Sequence, residues 1–110
     1  MTDVWHDVGT PQLFSEEEPV SVTVGGIPLA VFRQGQELFV LHDLCTHGAA
    51  RLSEGYVEDG CVECPLHQGT FDLRTGAACR APVTTPVRAY PIRILNGRVE
   101  VFLSDLERPS

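Results

Sequence analysis

Two short clusters in this 110-residue chain combine a thiol with an imidazole: Cys45-Thr46-His47 and Cys64-Pro65-Leu66-His67. Each offers one soft thiolate and one neutral imidazole in a tight local pair, the donor types that bind transition metals. Sixteen residues separate His47 from Cys64, enough for a hairpin, Gly55 to Glu63, that brings the two clusters side by side. Two Cys and two His can hold zinc as a tetrahedron. They can also hold a [2Fe–2S] cluster in which two His replace two Cys on one iron. Zinc sites usually pair Cys with Cys in one arm and His with His in the other, whereas here each arm mixes the two. The spacing therefore favours the iron–sulfur cluster, with a zinc-stabilised interaction module as the alternative. Gly48 follows the first histidine and Gly69 lies two residues after the second. Glycines there let backbone N–H groups come close to cluster sulfurs.

The elements that must position these residues read as short strands and tight turns. Val20-Ser21-Val22-Thr23-Val24 alternates apolar and small polar residues, the pattern of a half-buried strand. Gly25-Gly26 and then Ile27 to Phe32 complete a hairpin. Gly35 marks a turn before the strand Glu37 to Leu41. Tyr56-Val57 and Cys61-Val62 flank the turn Glu58-Asp59-Gly60. Ile92 to Leu95, Asn96-Gly97 and Arg98 to Leu103 form the clearest hairpin, because Asn-Gly supplies the positive φ angles of a type I′ turn. Cys45 to Gly55 and Pro65 to Pro86 are rich in Gly, Ala, Thr and Pro and read as loops. So does Pro11 to Pro19, with a short helical turn. Helical periodicity is absent, and Glu107 to Ser110 reads as a loose tail.

The length suits one domain over residues 1–110. Hydrophobic residues make up 43% and charged residues 21%, a globular balance that excludes intrinsic disorder. No apolar run approaches the ~18–20 residues of a membrane span. The opening stretch Met1 to Asp7 reads as neither a signal peptide nor a twin-arginine leader, so the expectation is a soluble cytoplasmic protein. Fifteen acidic residues against eight basic ones give a formal net charge of -7. That excludes nucleic acid as a partner and suits docking onto basic protein patches, although acidity also simply aids solubility. No G-x-G-x-x-G follows a strand, so the chain is not expected to oxidise a nicotinamide cofactor by itself.

Cys45-Thr46-His47-Gly48 and Cys64-Pro65-Leu66-His67-Gln68-Gly69-Thr70-Phe71-Asp72 resemble the two cluster-binding boxes of Rieske proteins. The likeness is greatest to the Rieske ferredoxins of bacterial aromatic ring-hydroxylating dioxygenase systems. Ala81-Pro82 resembles the proline-containing loop that closes over the cluster in that fold. The resemblance implies an all-β fold: an antiparallel β-sandwich with a cluster-binding subdomain at one tip, its loops spanning about 43–55 and 63–86. It implies one [2Fe–2S] cluster with Cys45 and Cys64 on the inner iron and His47 and His67 on the outer one. It also implies a one-electron carrier, not an enzyme, that takes electrons from an NADH-dependent flavoprotein reductase and delivers them to a terminal oxygenase. A monomer is the default for a carrier that docks twice, near Thr46 to Ala49 and Leu66 to Gln68. The small subunit of a nitrite reductase, which has a similar fold, is a rival reading; many such subunits lack the four ligands that this chain keeps.

Departures from the high-potential Rieske proteins are informative. Those have an extra, disulfide-forming cysteine in each box, where this chain has Ala50 and Leu66. They also have a serine and a tyrosine that donate hydrogen bonds to sulfur, where this chain has Gly69 and Phe71. Fewer such bonds leave the reduced cluster less stabilised. The expected potential is at the bottom of the Rieske range, about -150 mV.

Among the remaining residues, Cys61 and Cys79 read as small, reduced core residues, a disulfide between them being disfavoured in a reducing compartment. His6 and His42 belong to no metal-spaced pair and read as structural. Glu16-Glu17-Glu18 reads as a solvated loop, and Trp5 and Phe14 as packing at the core edge. Arg51, Arg74 and Arg80 receive no assignment. Asp43 and Asp72 divide evenly between support of the boxes and turn formation.

Overall fold

The computed structural model describes residues 4–46, 50–66, 69–81 and 83–103. Eleven strands run through these residues: β1 (Val4–Gly9), β2 (Val20–Val24), β3 (Ile27–Gln34), β4 (Glu37–His42), β5 (Tyr56–Glu58), β6 (Cys61–Glu63), β7 (Thr70–Asp72), β8 (Ala78–Arg80), β9 (Ala89–Tyr90), β10 (Ile92–Leu95) and β11 (Arg98–Leu103). The only helical pieces among them are single 3-10 turns at Pro11–Leu13 and Leu52–Glu54. No helix of the described residues is long and apolar enough to cross a membrane.

The strands form three sheets with orders β1-β11-β10, β2-β3-β4-β9 and β5-β6-β7-β8, and every pairing is antiparallel. Four tight hairpins set the registers. The β5–β6 and β10–β11 turns carry Asp59 and Asn96 at φ +53°, each followed by a glycine at φ +76°. Asp and Asn tolerate this left-handed conformation, and glycine adopts it without steric cost. Leu95 consequently pairs with Arg98, and Glu58 with Cys61.

The sheet β2-β3-β4-β9 is apolar on both faces. Along β3, Leu29 and Val31 enter one core with Val99, Val101, Leu103 and Tyr90. Ala30 and Phe32 enter a second core with Leu52, Val62, Phe71 and Leu73. Alternation with a period of two sends neighbouring residues to opposite faces, so an uninterrupted apolar run builds both cores at once. Each fully buried Leu, Val or Phe contributes about 1.5–3 kcal/mol relative to exposure. The first core joins two sheets into the sandwich, and the second fastens β5-β6-β7-β8 to it. The all-β expectation therefore holds, with a separate small sheet carrying the Cys-bearing loops.

One expectation needs correction. The region 63–86 is not a continuous loop, since it contains β7, β8 and the last residue of β6. These strands are three residues long, and β7 buries only Phe71. A run that short carries too few alternations to stand out from a turn-rich sequence. The helical turn expected within Pro11 to Pro19 is present, and Phe14 beside it is a core residue at 3% exposure.

Candidate metal centre

Both boxes begin at the rim of the second core and close in the same way. In the first, Leu44 bridges Arg51, and the Cys45 N–H donates to the Ala50 carbonyl at 2.9 Å. In the second, the Cys64 N–H donates to the Gly69 carbonyl at 3.0 Å. Each bond thus joins a cysteine to the carbonyl five residues on. Cys45 is 6% and Cys64 1% exposed. Both thiols belong to one apolar cluster with Leu52, Val62, Phe71 and Val83, and none of the four cysteines is in a disulfide. His47 and His67 lie outside the described residues, as do Gly48, Ala49 and Gln68. Among the described residues no group of three or more His, Cys, Asp or Glu could hold a metal ion.

Two contacts tie the boxes to the segment after β8, and the donor set fits a transition-metal cluster. A β-carbon on Gly69 would lie 2.7 and 2.9 Å from the Val83 methyls and 3.0 Å from the Arg80 carbonyl, so the backbone of the second box runs flush against the segment after β8. The Thr46 hydroxyl donates to the Thr85 carbonyl at 2.8 Å, tying the first box to that same segment. The two buried thiols supply the soft donors that iron of a [2Fe–2S] cluster takes. Pro82, expected to cap the site, lies outside the described residues.

Asp43 anchors the first box from below. It is the one fully buried charged residue among those described. Its Oδ1 accepts the Ser53 N–H at 2.8 Å. Its Oδ2 accepts the Ser21 hydroxyl at 2.9 Å, the Ser53 hydroxyl at 3.1 Å and Arg51 Nη1 at 3.0 Å. Its carbonyl accepts the Leu52 N–H. A buried carboxylate persists when its lone pairs are filled in this way. Of its two suggested roles Asp43 takes support, whereas Asp72 takes turn formation: its Oδ1 accepts the N–H groups of Arg74 and Thr75 at 2.8 and 3.0 Å. Ser21 and Ser53 went unrecognised in the sequence, because hydroxyls 22 and 10 residues from Asp43 leave no local signal.

The other singled-out residues are spread widely. Arg74 reaches Glu37 and covers the Phe39 ring. Arg80 is exposed. His42 Nδ1 accepts the Leu44 N–H at 3.4 Å, and His6 Nε2 is buried without a hydrogen-bond partner among the described residues. Glu16 to Glu18 are exposed as expected. Trp5 lies under the Arg93 guanidinium and packs edge-on against Phe102. Cys61 and Cys79 are not core residues. Cys61 is half-buried and Cys79 exposed, and their sulfurs lie 3.8 Å apart.

Comparison with known proteins agrees with this architecture. The Rieske [2Fe-2S] domain family matches residues 4–91. The chain is 65% identical over 97 residues to the anthranilate 1,2-dioxygenase ferredoxin subunit of Burkholderia cepacia, a match covering 88% of this chain and 90% of that protein. Its structure superposes on a Sphingomonas yanoikuyae B1 ferredoxin with a TM-score of 0.87 at 36% identity, covering 92% of this chain and 100% of the other. It also superposes on a chain from the complex of reduced oxygenase and oxidized ferredoxin in carbazole 1,9a-dioxygenase, with a TM-score of 0.83 at 35% identity, covering 91% of this chain and 94% of that one. The zinc alternative gives way to a [2Fe–2S] cofactor. The chain therefore belongs to the Rieske [2Fe–2S] family and, within it, to the electron-carrying ferredoxin components of aromatic dioxygenase systems.

Proposed function

We propose that the protein passes electrons one at a time from an NADH-oxidising flavoprotein reductase to the terminal oxygenase of an aromatic ring-hydroxylating system. Cys45 and Cys64 would hold one iron of the cluster, and His47 and His67 the other. The observation that carries this reading is the pair of equivalent loops, each closed by a cysteine N–H to the carbonyl five residues on, with both thiols buried in one apolar cluster. The cluster, when bound, supplies reversible one-electron chemistry at iron.

The chain's own residues do the rest. Leu52, Phe71 and Val83 keep water from the thiol side, and water exclusion holds the site at a low dielectric. Asp43, through Ser53 and Arg51, fixes the first loop against β2. Thr46 and Thr85 hold the strap after β8 over both loops. Leu44 before the first box and Leu66 within the second, 42% and 61% exposed, are apolar contacts for a docking partner. Gly69 and Phe71 bring no hydroxyl to the site, which keeps the potential low. Phe71 fills the core instead. The protein works as a cytoplasmic monomer that visits its two partners in turn. The test is NADH-dependent product formation by a purified reductase and oxygenase pair. Adding this protein should start turnover, and its Cys64→Ser variant should not. Turnover unchanged by the protein across reductases and oxygenases of this class would overturn the assignment.

A further inference from the structure

Cys61 and Cys79 form a second thiol site, separate from the cluster loops. They lie on β6 and β8, which are not neighbours, since β7 runs between them. A β-bulge brings them together. Thr70 pairs with Arg80 and Phe71 with Ala78, so Cys79 is the extra residue of β8, and a bulge re-aims the side chain it carries. The two sulfurs meet at 3.8 Å on the sheet face opposite Val62 and Phe71. A pocket of about 150 Å³, lined by Cys61, Tyr56, Glu63, Thr70 and Arg80, opens beside them. Cys79 is exposed, so a small solute reaches it directly.

We propose that Cys61 and Cys79 are a redox-active dithiol that closes into a disulfide when the protein meets hydrogen peroxide. The Cys79 thiolate attacks one peroxide oxygen, the O–O bond breaks, and water leaves once the departing oxygen is protonated. Cys79 is then a sulfenic acid. The Cys61 sulfur attacks Cys79 Sγ, forming the S–S bond and breaking the S–O bond, and its proton leaves with the hydroxide as a second water. Two thiols and one peroxide thus give one disulfide and two waters. Exposure assigns the first step to Cys79, and burial together with the neighbouring Cys79, Asp72 and Asp59 holds the Cys61 thiol protonated up to about pH 11. The bond would fasten β6, which runs into Cys64, to β8, which runs into the strap that Thr46 holds. Transient disulfides of this sensing type do form in reducing compartments.

The test treats the cluster-loaded protein with a small excess of hydrogen peroxide, alkylates the remaining thiols, and digests with trypsin without reduction. Mass spectrometry should find peptide 52–74 joined to peptide 75–80 through Cys61, with the visible absorption of the cluster retained and the link undone by dithiothreitol. In Cys61→Ser the link should vanish and dimedone should label Cys79. Alkylation of both thiols after peroxide, a link through Cys64, or a link that appears only as the cluster absorption is lost would each overturn the proposal.

Discussion

Asp43 decides how firmly the first box is held. Its carboxylate is wholly buried and accepts from Ser21, Arg51 and Ser53. Asp43→Ala would strand those donors in the interior. Removing one side of such a buried network costs about 3 kcal/mol. The urea midpoint of the cluster-loaded protein should fall accordingly, whereas Ser53→Ala should cost about 1 kcal/mol. Cys61 gives a prediction in pH. Burial, and then its contacts with Cys79, push its thiol from 9.0 up to about 11. The neutral thiol is favoured in the fold, so its contribution to stability is complete below pH 9 and is lost as pH rises through 11. Alkylation of Cys61 followed by mass spectrometry should rise with an inflection near 11. Cys79→Ser should move that inflection down while desolvation keeps it above 9. The residue scale also divides what could be read in advance. Cys45 and Cys64 stood out by donor type and spacing, and folding buries both thiols in one apolar cluster. Ser21 and Ser53 did not, because serine is common and their acceptor is brought to them only by folding.

Gly69 and the strap after β8 pose the question for the elements. Val83 methyls and the Arg80 carbonyl crowd the place a β-carbon would take on Gly69. Gly69→Ala should therefore loosen the second box and lower the ratio of visible to protein absorbance in the purified protein. Trimming the neighbour in a Gly69→Ala, Val83→Ala double variant should recover part of it, while the Arg80 carbonyl keeps recovery incomplete. The long hairpins were legible because Asp59-Gly60 and Asn96-Gly97 specify their turns and the flanking residues alternate. Strands β7 and β8 were not, since three residues with at most one buried side chain look like loop. The same blindness hid the meeting of Cys61 with Cys79, which depends on a bulge in β8 that no turn residue announces.

Net charge and cofactor environment act on the whole molecule. A formal charge of -7 should steer the protein onto basic partner surfaces. The rate of its reduction by a flavoprotein reductase should fall about tenfold from low ionic strength to ~0.5 M salt, as screening removes the steering. The chain has Ala50, Leu66, Gly69 and Phe71 where the extra disulfide-forming cysteines and the sulfur-bonding hydroxyls of high-potential Rieske proteins would stand. Its midpoint potential should lie near -150 mV. If Cys45, His47, Cys64 and His67 together hold one [2Fe–2S] cluster, electron paramagnetic resonance of the dithionite-reduced protein reads that ligand set out. The expected result is a rhombic signal of low average g, with pulsed spectra showing hyperfine coupling to two imidazole nitrogens. A signal of all-cysteine type without nitrogen coupling, with Cys61 or Cys79 standing in for a histidine, would contradict it.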